Sequence, residues 1–354
     1  MKKLKLFSFK SIYLIFIFLL SLIIPLILNS CSSESIINPI VLQSGKGAYI
    51  LSEGGTSGQL SFYSITKDTF FADIFSGGSL SGYPDGLLFF QNNLFISLQG
   101  NFGGPGLIYK TDTNGTLIQA SNPIGTNPYS LAISNSKIFL TSGPASSVTI
   151  ADLNSLNFIT NISVGAYPQE ILSYNNKIYV CNTSVFSGPQ DSTVSVIDAA
   201  NNNLVAAIIV GKDPSALAVS NTGNILIGCP FPKNTIFVVN SNTYNKIDSI
   251  EIIDGFGKDI SVDPNSNLIY YITGNNNIGK CDLITKQQAI VINNPSPASV
   301  FFYGYAYNPE SQKHFVTDAK NFILNGRLLI YNNSGVLEKE FAAGIAPRRI
   351  VFKK

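Results

Sequence analysis

From Gly47 onward, apolar runs of four to six residues alternate with clusters of Gly, Asn, Pro and Asp, and no window long enough for a helix keeps a 3.6-residue period. That pattern predicts short strands throughout, an all-β chain. The runs recur as a unit, clearest in GKDPSALAVSNTGNILIGCPFPKNTIFVVN at residues 211–240. The unit is Gly-x-x-Pro, a run of small apolar residues, a polar turn, a second apolar run, a loop, and a third run ending in Asp or Asn. The proline slot falls at Pro84, Pro128, Pro168, Pro214 and Pro347, with degenerate copies placing Gly257 and Phe302 in it, so the spacings are 44, 40, 46, 43, 45 and 45 residues. A period of about 40–45 residues holding only short strands is the signature of propeller blades. Seven slots predict a seven-bladed β-propeller.

Each blade offers four strands, as residues 170–173, 177–181, 193–197 and 204–208 show for the copy at Pro168. The small residues of the first strands, as in Ser215-Ala216-Leu217-Ala218-Val219, suit an innermost strand, where converging blades leave little room. Residues 47–75 supply three strands with no first strand before them, and residues 344–352 supply a first strand with nothing after it. The two ends are therefore expected to share one blade, with the strand near Ile350 pairing to the strand near Tyr49. The propeller takes residues 47–354 as one domain.

Residues 1–30 read as an export signal, with a lysine-rich start and an apolar run over residues 12–28 broken by Pro25. A run of this length also suits a permanent signal anchor. Leu28-Asn29-Ser30-Cys31 resembles the lipobox of bacterial lipoproteins, although Asn29 departs from the small or apolar residue usual there. That resemblance implies cleavage before Cys31, a diacylglycerol on its thiol, and a linker over 31–46 that tethers the domain to a membrane of the cell envelope, with the outer membrane the expected one. The leader also explains the charge. Four of its residues, Lys2, Lys3, Lys5 and Lys10, account for the formal +2, and the chain without them carries −2. A near-neutral domain lacks the basic footprint that nucleic acid requires. Apolar residues at 45% and charged residues at 12% allow a large core, with Asn, Ser, Gly and Thr as turn-forming polar surface.

Val194-Ser195-Val196-Ile197-Asp198, followed by Val210-Gly211-Lys212-Asp213-Pro214, resembles the bacterial repeat proteins whose blades carry a tyrosine-valine-threonine-asparagine style motif. The likeness covers about residues 47–354 and fades in the blades begun by Gly257 and Phe302. It implies the propeller fold and is nearly silent on activity. Related lipoproteins of this shape include surface proteins that capture corrinoids for an outer-membrane importer.

Asp112, Asp152, Asp198, Asn240, Asp282 and Asn332 share the end of the third strand, where Asx side chains cap the following turn, so they are expected to be structural. His314, the single histidine, lies in a strand and cannot by itself make a multi-histidine metal site. No nucleophile elbow, phosphate loop or dinucleotide fingerprint appears, and no metal or cofactor is expected. Cys181, Cys229 and Cys281 sit in apolar strands and read as buried thiols, with a Cys181–Cys229 bridge the alternative.

The informative departures are loops. Those carrying Phe102, Phe186, Phe231 and Phe322, and the turns into first strands carrying Tyr83, Tyr129, Tyr167 and Phe256, are expected on one rim. Asp85, Gln169, Glu170, Lys212, Asp213, Lys258, Asp259, Arg348 and Arg349 are their polar neighbours. Such a rim suggests a collar for a bulky amphipathic ligand such as a corrinoid or a glycan, oriented by Arg348. The expected protein is a non-enzymatic capture lipoprotein that passes its ligand to an outer-membrane transporter or other partner. A protein–protein scaffold and a lactonase-like hydrolase are the alternatives, the latter with a rim acid such as Glu170.

Overall fold

The computed structural model describes residues 45–54, 57–184 and 190–353. The signal segment 1–30, Cys31 with most of the linker 31–46, and Phe186 lie outside them.

Within the described residues the chain forms seven four-stranded antiparallel sheets, in six of which neighbouring strands are hydrogen-bonded in sequence order. Six of these blades run continuously, from Pro84–Phe90 as the first strand of blade 2 to Leu337–Ile345 as the last strand of blade 7. Blade 1 is composite. Its innermost strand is the C-terminal Pro347–Lys353, followed outward by Gly47–Ser52, Gln59–Ser64 and Thr69–Phe71. Ile350 lies opposite Ile50 and Val351 opposite Tyr49, so the two ends close the ring as the sequence predicts.

The core lies between blades. Seven buried clusters each join one sheet to the next, as where Tyr49, Leu51 and Phe62 of blade 1 meet Leu87, Leu94 and Ile96 of blade 2. A second contact repeats at the slot. A Cβ on Gly58 would lie 2.2 Å from the Pro84 ring, one on Gly106 2.5 Å from Pro128, and one on Gly326 2.4 Å from Pro347. Each of these glycines opens a place for the slot residue of the following blade.

One sequence expectation, the slot of blade 6, changes here. The slot of blade 6 is Phe256, not Gly257, because Phe256 begins its strand as Pro84, Pro128, Pro168 and Phe302 begin theirs. Phe256 is consequently buried, 1% exposed, over Gly228 and against Tyr271, and it is not a rim aromatic. Burying its ring stabilises the blade junction by roughly 2–3 kcal/mol. His314 is fully buried among Tyr270, Tyr305 and Tyr307, with Nδ1 2.8 Å from the Tyr305 hydroxyl.

The six strand-end residues do cap turns. Asp152, for example, accepts from the backbone N–H groups of Asn154 and Ser155 at 3.0 and 2.8 Å, and Asn332 from those of Ser334 and Val336, both at 3.0 Å. Cys181, Cys229 and Cys281 are free and buried. Burial pushes the Cys229 thiol up to about 12 and the Cys281 thiol up to about 11, so both stay protonated.

Candidate functional site

The chain leaves the slot of each blade at the same end of the ring, and the next residue faces the axis. Those residues are Asp85, Tyr129, Gln169, Ser215, Gly257, Tyr303 and Arg348, one per blade, and all seven line a single cavity of about 370 Å³. Glu53 and Gln99 reach it from connections between second and third strands. The two sets of connections therefore share one rim, as alternating strand direction requires. Glu170, Lys258 and Arg349, from the following position, complete the lining.

Deeper along the inner strands a second cavity, of about 180 Å³, is lined by Ala216, Leu217, Ile260, Tyr305 and Ile350. Glu170, Ser215, Arg348 and Arg349 border both. The partition between them is an ion-pair network. Arg348 Nη1 lies 3.0 Å from Asp259 Oδ2, and Arg348 Nη2 lies 3.5 Å from Glu170 Oε1. Arg349 pairs with Glu170 at 2.8 Å and with Asp85 at 3.0 Å, and its Nε donates to the Asp85 carbonyl at 3.0 Å. Burial alone would lower the pKa of both guanidiniums, but the carboxylates reverse it: Asp259 is the larger influence on Arg348, and Glu170 with Asp85 on Arg349. Both arginines stay charged.

Lys258 is different. It lines the mouth with Nζ 4.0 Å above the centre of the Tyr303 ring, and no carboxylate comes within ion-pair distance among the described residues. Burial, and then the like charge of Arg348, push its pKa down to about 7. The Tyr303 hydroxyl donates to Glu53 Oε1 at 2.8 Å. Burial and the charge of Asp85 raise the Glu53 pKa against the opposing Tyr303 hydrogen bond and the two arginines. Gln99 Nε2 donates to Asp85 Oδ2 at 2.9 Å, whereas the Gln169 amide has no hydrogen-bond partner among the described residues.

The rim aromatics do not form a continuous collar. Tyr129 and Tyr167 are joined, hydroxyl to hydroxyl, at 2.6 Å, and Tyr129 reaches the cavity. Phe322 packs on Phe301 and, edge-on at 4.9 Å between centroids, on Tyr303. Tyr83, Phe102 and Phe231 are exposed, and no ring contact among the described residues links them to another aromatic. Phe256 is in the core, and Phe186 is outside the described residues. Arg348 does lie at the mouth, but held by carboxylates. Sequence reasoning missed Glu53, Gln99 and Tyr303. A signal for Tyr303 existed: it follows the slot residue, as Asp85 and Arg348 do.

No protein-family model and no curated protein sequence matches the chain. Solved structures do. A quinonprotein alcohol dehydrogenase-like protein from Bacteroides thetaiotaomicron superposes with a TM-score of 0.69 at 16% identity, over 86% of this chain and 78% of that one. A candidate 6-phosphogluconolactonase from Bacteroides uniformis gives 0.68 at 12% identity, over 88% and 100%. The Cps50 (Swd1) propeller domain of Myceliophteria thermophila gives 0.57 at 13%, over 74% and 86%. At such identities the likeness is one of fold: a seven-bladed β-propeller.

Proposed function

We propose that this propeller is a binding protein whose mouth takes a sugar-sized, polyhydroxylated ligand, and that lipidated Cys31 tethers it in the cell envelope, where it passes the ligand to a membrane partner. The observation that carries the reading is a pair of polar groups with no hydrogen-bond or ion-pair partner among the described residues, the Gln169 amide and the Lys258 ammonium, in a cavity that also holds the carboxylates of Glu53 and Asp85. Unpaired donors beside acceptors suit hydroxyls, and the partly exposed rings of Tyr303 and Phe322 offer apolar faces for a sugar ring. A volume of about 370 Å³ lies near the small end of the usual ligand range of roughly 300–1,000 Å³. It accommodates a monosaccharide unit, at the end of a glycan or free, and is too small to engulf a corrinoid macrocycle.

The test is calorimetric titration with neutral sugars, sugar acids and short glycans. Gln169→Ala and Tyr303→Leu are each expected to weaken the best ligand about tenfold, equal to about 1.4 kcal/mol. No saturable binding by any of these, or equal affinity in both variants, overturns the sugar reading. Partition of the native protein into detergent, lost in Cys31→Ser, tests the tether.

One observation favours a second reading, a lactonase-like hydrolase. Glu53, with its raised pKa and its hydrogen bond to Tyr303, has the environment of a general acid or base. Glu170 is a weaker choice than the sequence suggests, because both its oxygens serve the arginines. Lactone hydrolysis that falls at least a hundredfold in Glu53→Gln would establish this reading in place of the first.

A further inference from the structure

We propose that Lys258 is a nucleophile that forms a reversible imine with a carbonyl-bearing ligand in the mouth cavity, which makes the open-chain form of a reducing sugar, or a related aldehyde or ketone, the ligand class of this site. The inference rests on the reading of the mouth as a sugar well and goes beyond it by naming the atom that reacts.

Three features of the geometry carry it. Among the described residues Lys258 is the mouth cation with no carboxylate at ion-pair distance: Arg348 is held by Asp259 and Glu170, and Arg349 by Glu170 and Asp85. Lys258 lines the cavity and its Nζ rests on the Tyr303 ring, a contact that positions the group without occupying its lone pair or its protons in a strong hydrogen bond. The same ring carries Glu53 on its hydroxyl, which brings a proton-exchanging group to the amine's neighbourhood. Burial and Arg348 disfavour the Lys258 ammonium most, Asp259 and Glu53 oppose them, and Arg349 adds to the repulsion. The resulting value of about 7 leaves a large neutral fraction at physiological pH, as imine-forming lysines require.

The step balances without any oxidant or reductant. The Nζ lone pair attacks the carbonyl carbon, and the proton that the nitrogen gives up passes to the carbonyl oxygen to give a neutral carbinolamine. A second proton, supplied by the protonated form of Glu53 through the cavity, lets that oxygen leave as water. The C=N bond forms as the N–H proton returns to the carboxylate, and the reverse sequence releases the ligand.

The experiment uses the full chain with glyceraldehyde as the probe and sodium cyanoborohydride to trap any imine, followed by peptide mass spectrometry. Lys67 and Lys233, both exposed, are the internal comparison. Lys258 is expected to be alkylated at least tenfold faster than either at pH 7.5, with a rate that rises through a midpoint near pH 7. Labelling of Lys258 no faster than that of the two exposed lysines overturns the proposal. Glu53→Gln is expected to slow the trapping severalfold, and an unchanged rate overturns the role given to Glu53. The outcomes separate this inference from the reading beneath it: sugars that bind in calorimetry while Lys258 escapes labelling remove the imine and leave the well standing, whereas absence of both removes the two together.

Discussion

At the scale of single residues, the mouth is shaped by where charges are satisfied. Arg349 is the hub of the partition, since it alone reaches both Asp85 and Glu170. Arg349→Met keeps most of the volume and leaves two largely buried carboxylates short of their partner, so it is expected to cost about 3–5 kcal/mol in denaturant unfolding. A loss below about 1 kcal/mol would mean that water already solvates the network. His314 makes a prediction about pH. Burial pushes its pKa down to about 4, so the folded protein keeps it neutral while the unfolded chain protonates near the ordinary value of 6.5. Its contribution is fully present above pH 6.5 and is lost as pH falls from 6.5 toward 4, by at most about 3 kcal/mol. His314→Gln is expected to flatten the stability curve in that window. Of these residues the sequence pointed to Asp85, Glu170, Lys258, Asp259, Arg348 and Arg349 as rim neighbours. It did not reveal that five of them pair off and leave Lys258 alone, because pairing depends on distances across the ring between blades far apart in sequence.

At the scale of elements, the four-strand blade was legible because a short strand, a turn and a capping Asx are local events written in consecutive residues. The slot was legible at its prolines and at Phe302 but was misplaced by one residue in blade 6, and that slip put Phe256 on the rim instead of in the core. At Pro84, Pro128, Phe256 and Pro347 a glycine of the preceding blade makes room for the slot residue, a non-local partner. Gly106 makes this testable, since an added Cβ would meet the Leu98 carbonyl oxygen at 2.0 Å and the Pro128 ring at 2.5 Å. Gly106→Ala is expected to destabilise by roughly 1–3 kcal/mol and to loosen the junction of blades 2 and 3, read as faster amide exchange in Pro128–Ser134. Unaltered exchange there would remove the slot contact as a structural device.

At the scale of the molecule, closure is the governing event. The strand Pro347–Lys353 supplies the inner edge of blade 1 and, through Arg348 and Arg349, the partition of the channel. A chain ending at residue 346 is expected to lose cooperative thermal unfolding and to associate through the edge exposed at Gly47–Ser52, measured by calorimetry and size-exclusion chromatography. A monomer with an unchanged transition would show that the clasp is dispensable. The sequence by itself determined the strand class, the repeat, the blade number and the joining of the two ends, because each follows from periodic patterns that burial imposes on nearby residues. The tertiary structure alone decided which side chains face the axis together, which charges neutralise one another, and which aromatics reach solvent. Those outcomes arise where seven blades converge, and no one repeat contains the partners that settle them.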